Sequence, residues 1–113
     1  MAFKHTSTWR EMKRRRNYKY VERVRIEVLT HYGVGGKLCC SWPSCEVTDI
    51  DMLHLDHVNN DGKSDRLKRG VLGGYILCAM LRKENYPKGY QTLCANHDRK
   101  KASIQARQRR MED

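Results

Sequence analysis

The sequence predicts a small α+β domain held by a zinc knuckle and flanked by helices. Three observations predict it. Residues 18–32 and the stretch from residue 95 carry helical patterns, whereas residues 50–58 and 90–93 alternate as strands do. Cysteine and histidine occur in two short-spaced pairs, Cys40-x4-Cys45 and Cys94-x2-His97, on either side of the first strand and its turn. A chain of 113 residues makes one domain, or one domain plus tails, and a core of that size gains from a metal staple.

Residues 1–17 read as a flexible basic arm around Lys13, Arg14, Arg15 and Arg16, with a solvated helix start as the equal alternative. A packing helix follows over 18–32. Val21, Val24, Val28 and Leu29 share one face, and Glu22, Arg23, Arg25 and Glu27 largely the other. Gly33, Gly35 and Gly36 end it and open a knuckle that contains Cys39, Cys40, Pro43 and Cys45. In the strand over 50–58, Leu53, Leu55 and His57 alternate with Met52, His54, Asp56 and Val58. His54 reads as a strand-face residue. Asn59-Asn60-Asp61-Gly62 is a turn. Residues 63–70 read as a basic loop, and Gly73-Gly74 precedes a short apolar helix through Tyr75, Ile76, Cys78, Leu81 and Arg82. Residues 85–89 end that helix, 90–93 are extended, and a basic helix runs from Ala95 to about Arg110.

Lys and Arg number 23 against 13 Asp and Glu, giving a net charge of +10 and a pI of about 9.6. That balance suits a polyanionic partner, because phosphate contacts release condensed counterions. It says nothing about catalysis. The start of the chain does not look like a secretory signal, and no stretch has the length of a membrane span, so the expected setting is a reducing cytoplasm without membrane attachment. Five cysteines cannot all pair within the chain, and in such a setting clustered Cys and His point to metal.

Zinc takes four tetrahedral Cys or His ligands, and short loops can present two donors each. The second pair is the stronger signal, being a tight turn at a helix start where a thiolate at Cys94 is favoured. In the first pair Cys39 could replace Cys40. Cys78 falls on an apolar helical face and reads as a core thiol. Asp56-His57 closes the predicted strand before a polar turn. Neighbouring strand residues face opposite ways, so one can hold a metal while the other acts as a base near neutral pH. Arg66, Lys68 and Arg69 could position a nucleic-acid strand, or form a solvated loop.

From about residue 33 to 103 the chain resembles the HNH, or ββα-metal, endonucleases, especially small phage-encoded ones. The matching pieces are Cys40 and Cys45, the run Leu55-Asp56-His57-Val58-Asn59, and the run from Leu93-Cys94-Ala95-Asn96-His97-Asp98 to Lys101. Residues 85–94 look like the phage subgroup as well. The resemblance implies an HNH nuclease domain over 33–110 that hydrolyses DNA phosphodiester bonds, leaving a 5′ phosphate and a 3′ hydroxyl. It makes His57 the general base, and Asp56 and Asp98 the ligands of a catalytic magnesium or manganese ion. Cys40, Cys45, Cys94 and His97 would hold a structural zinc, and Arg99, Lys100 and Lys101 would contact phosphates. Two departures stand out. His97 replaces the family's last cysteine, and Gly89 occupies about the place of its middle Asn, for which Asn59, Asn60 or Asn85 could substitute. A homodimer or a phage packaging partner also fits. The rivals are a zinc-containing nucleic-acid-binding module without catalysis, and a structural protein of a phage packaging assembly.

Overall fold

The structure is a computed structural model that describes residues 2–71 and 74–112, with side chains from residue 17 onward. Helix α1 spans Ala2–His31. That stretch contains neither glycine nor proline, so nothing interrupts its hydrogen-bond ladder. Of the two readings of residues 1–17, a flexible arm or a solvated helix start, the backbone of residues 2–17 follows the second and runs on into the packing helix. The side chains of Lys13, Arg14, Arg15 and Arg16 lie outside the described residues.

A short 3-10 turn at Val34–Gly36 follows, then the knuckle. The strand expected from residue 50 begins later. Ile50–Met52 is a 3-10 turn capped by Asp49, whose carboxylate accepts the Asp51 amide at 3.0 Å. Strand β1 is Leu53–His57, and it pairs antiparallel with β2, Tyr90–Cys94. The register sets Leu53 opposite Cys94 and His57 opposite Tyr90. The polar turn after β1 forms as expected, with Asn60 in the left-handed region (φ 62) and its amide on His57 O.

The predicted basic loop is instead helix α2, Gly62–Arg69. It has no breaker inside, an Asp65–Arg69 pair one turn apart, and Gly70 in the left-handed conformation to receive its end. Helix α3 is Gly74–Lys83. Leu72 and Gly73 lie outside the described residues, and with them half of the glycine pair expected to open α3. Helix α4, Ala95–Glu112, follows β2 without a linker. Among the described residues no helix is long and apolar enough to cross a membrane.

Two buried clusters meet at Leu55. One holds Leu29, Cys40, Leu53, Leu93 and Cys94, and the other Val24, Val28 and Cys78. Helix α1 packs on α3 and on both strands, and α4 packs on both strands as well. Thr92 locks α1 to the sheet. Its hydroxyl donates to Leu29 O at 2.7 Å and its amide to Tyr32 O at 3.1 Å, which satisfies carbonyls that a helix end leaves unpaired.

Leu53 is fully buried between α1 and the knuckle. Leu53→Ala is expected to cost about 2–5 kcal/mol, the usual range for a buried leucine. Urea unfolding of the zinc-loaded protein measures this, and a loss under about 1 kcal/mol would place Leu53 outside the core.

Candidate metal centre and histidine site

The knuckle is a loop folded back on itself. The Cys40 amide donates to Val47 O at 3.0 Å, and the Cys45 amide to Trp42 O at 3.0 Å. Ser44 takes the left-handed conformation (φ 66) that turns the chain before Cys45. The second pair straddles the junction of β2 and α4, with Cys94 closing the strand and His97 in the first helical turn. The hairpin register carries Cys94 to the knuckle, and the ligand atoms of Cys40, Cys45, Cys94 and His97 all lie within 4.8 Å of one another.

The separations fit one ion. Zinc–sulfur bonds of about 2.3 Å in a tetrahedron set ligand atoms about 3.8 Å apart. Here Cys45 Sγ is 3.9 Å from Cys94 Sγ, and His97 Nδ1 is 3.7 Å from Cys40 Sγ and 3.2 Å from Cys94 Sγ. Trp42 stacks flat on His97, with ring centroids 4.8 Å apart and planes 6° from parallel, which fixes the imidazole with Nδ1 toward the sulfurs. Burial pushes the Cys40 thiol up to about 11. At Cys94 burial also acts upward, but hydrogen bonds from the His97 and Asn96 amides and from neighbouring thiols hold it below its ordinary value. The cluster could hold a metal ion, and its thiolate-rich donor set suits zinc.

The choice between adjacent cysteines falls to Cys40. Cys39 points away and donates to Cys45 O at 3.5 Å. Cys78 is buried against Val24 and Val28, a core thiol as expected.

Asp56 and His57 face opposite sides of the hairpin, as strand alternation requires. His57 is 9% exposed, and its Nε2 lies 3.0 Å from Asp65 Oδ2. The same oxygen accepts the Tyr90 hydroxyl at 2.6 Å, and Oδ1 accepts Arg69 Nε at 2.9 Å. Arg69 also pairs with Glu84. Burial would raise the Asp65 carboxyl, but the donors Tyr90, His57 and Arg69 outweigh it and hold the group down to about 2. The sequence reading missed Asp65. Its signal was the i,i+4 spacing to Arg69, which goes unseen once residues 63–70 are taken for a loop.

On the other face Asp56 Oδ2 accepts Lys101 Nζ at 2.7 Å and Gln91 Nε2 at 2.9 Å, and Lys101 Nζ also donates to His57 O at 2.7 Å. Lys101 thus points inward at Asp56. Asp98 is half-buried in the first turn of α4, outside the four-residue cluster. Arg99 and Lys100 are exposed, and Lys100 Nζ stands 5.7 Å over the Trp42 ring. Lys68 is exposed as well, whereas Arg69 is engaged with Asp65 and Glu84. Arg66 is half-buried and helps line a cavity of about 250 Å³ together with Arg25, His54, His57 and Tyr75. None of Asn59, Asn60 and Asn85 appears among the partners of the His57 ring, whose polar contact is Asp65.

Purified protein is expected to carry about one zinc per chain. Cys94→Ser should lose the metal and unfold or aggregate, because binding energy of such a site is folding energy. Cys39→Ser should keep both metal and melting curve. Elemental analysis with thermal melting checks this, and full zinc content in Cys94→Ser would remove the assignment. No family model matches this chain, and no curated protein or solved structure does.

Proposed function

We propose that this chain is a metal-dependent endonuclease of the HNH kind that hydrolyses DNA phosphodiester bonds, with His57 as general base. The observation that carries this is the setting of His57. Its imidazole closes β1, is held through Nε2 by a half-buried carboxylate, and lines a cavity shared with two arginines and a second histidine. A neutral imidazole takes a proton from water as that water attacks phosphorus. Arg66 lies close enough to hold a phosphate oxygen beside it. The net charge of +10 and the exposed Lys68, Arg99 and Lys100 suit a polyanionic duplex.

The residues around Asp56 admit a cation. Asp56 Oδ2 and the His57 carbonyl, both hard oxygen donors, already surround the Lys101 ammonium at 2.7 Å each. Asp56 and Asp98 would hold magnesium or manganese there, and Lys101 would have to withdraw. When bound, the ion supplies positive charge at the scissile phosphate and the leaving oxygen.

The Lys101–Asp56 pair also favours a second function, a zinc-containing nucleic-acid-binding module without catalysis, because the carboxylate is already neutralised. Nicking of supercoiled plasmid with magnesium or manganese separates the two. His57→Ala is expected to keep zinc and duplex affinity and to cleave about 10²- to 10⁴-fold more slowly, the usual worth of a general base. Equal rates for the two proteins would sink the assignment. Lys101→Met should lower the manganese concentration needed for half-maximal cleavage if the ion competes with the ammonium for Asp56. Duplex binding that weakens steeply with salt, with no cleavage in either protein, would establish the binding module instead.

A further inference from the structure

We propose that Asp65 is the positioning residue of His57: it binds the Nε2 hydrogen, fixes the ring, and leaves Nδ1 as the nitrogen that receives the proton. This rests on His57 being the base. Asp65 lies on α2, eight positions beyond His57, in the stretch that the sequence suggested was a basic loop.

The hydrogen-bond inventory determines the tautomer. An ionised carboxylate only accepts. Asp65 Oδ2 is within 3.0 Å of Nε2 and takes the Tyr90 hydroxyl, and Oδ1 takes Arg69 Nε. The hold on the carboxyl at about 2 keeps it ionised at neutral pH. Nε2 must therefore be the donor, and in the neutral ring the lone pair stands on Nδ1.

The surroundings of Nδ1 agree. A Cβ added at Gly62 would lie 3.0 Å from Nδ1 and 3.0 Å from Arg66 Nη1. A side chain at position 62 would crowd both atoms, so the glycine lets Nδ1 and a guanidinium able to hold a phosphate oxygen stand close together. Tyr90 packs against the other part of the ring, centroids 4.9 Å apart. Asp65 is itself anchored, because Arg69 spans from it to Glu84 at the end of α3. An imidazole held in this way neither rotates about its Cβ–Cγ axis nor exchanges tautomers freely.

A purely structural ion pair would tie α2 to the hairpin without fixing the ring nitrogens, so the test reads both. Ring ¹⁵N spectra of zinc-loaded wild type, at a pH where the imidazole is neutral, should show His57 protonated at Nε2 and bare at Nδ1. Asp65→Asn offers one acceptor oxygen to three donors, so the spectrum should shift toward the other tautomer or a mixture. Cleavage by Asp65→Asn should drop about 10- to 100-fold, the usual effect of losing a partner that orients a histidine, with KM, zinc content and duplex affinity near wild type. Asp65→Glu should recover part of the rate. A wild type that cleaves with His57 protonated at Nδ1, or an Asp65→Asn that cleaves as fast as wild type, would overturn the positioning role and leave the nuclease function standing. A wild type that does not cleave at all would overturn the nuclease function and this role with it.

Discussion

The four-donor cluster of Cys40, Cys45, Cys94 and His97 is the constraint on which the rest of the molecule depends. Cys40 and Cys94 are also core residues, packed with Leu29, Leu53 and Leu93, so the candidate metal site and the apolar core share residues. The knuckle packs Leu38, Trp42 and Val47 against that same core. Joining it to the β2–α4 junction fixes where β2 ends and where α4 begins. That in turn sets the register against β1 and the position of every residue on the hairpin. The Cys94 amide donates to Cys40 Sγ at 3.2 Å, which stabilises negative charge on that sulfur and couples the strand end to the knuckle.

The hairpin then sorts chemistry by parity. Leu53, Leu55 and His57 pack toward the buried clusters or α2, Asp56 turns to α4, and the exposed His54 reaches the rim of the cavity beside His57. Leu53 and His57 are buried on one side, while Asp56 meets Lys101 on the other. Two polar networks grow from adjacent residues without touching through their side chains. One runs from His57 through Asp65 to Arg69, Tyr90 and Glu84. The other joins Asp56, Gln91 and Lys101 and returns to the first only through the His57 carbonyl. A buried imidazole and a carboxylate paired with an ammonium are thereby set a residue apart, on opposite sides of one strand end.

Much of this was legible in the sequence. Helix α1 beyond residue 18, the hairpin strands, the Asn60 turn and α4 follow from local periodicity and turn chemistry, which act over a few residues. The ligand pairs were legible because zinc needs closely spaced donors. What stayed hidden depends on contacts between distant segments. Adjacent thiols at 39 and 40 have the same sequence signal, and only the backbone direction, set by Cys40 N–H on Val47 O, aims one of them at His97. Lys101 sits in a basic helix whose composition suggests an outward face, yet β1 supplies Asp56 within reach. Residues 63–69 have a solvated composition, and α2 is held by Gly70 and by partners on β1, β2 and α3 rather than by an apolar face of its own.

The charges around His57 illustrate why such a network holds as a set. Arg69 pairs with two carboxylates at once, and its guanidinium is held more firmly protonated by Glu84 first, against the opposing effect of burial. Asp65 is largely shielded and accepts three donors, so each removed partner leaves a polar atom that water reaches poorly. Buried ion pairs add little net stability over apolar packing of the same shape, but an incomplete one is costly. The arrangement is therefore poorly explained as a contribution to stability alone. What it does provide is orientation, because an imidazole bound by an immobile carboxylate has one ring position and one tautomer. A leucine at position 57 would bury apolar surface with no such network to complete. A histidine there, with its carboxylate and its arginine, is the arrangement expected where a defined lone pair is needed.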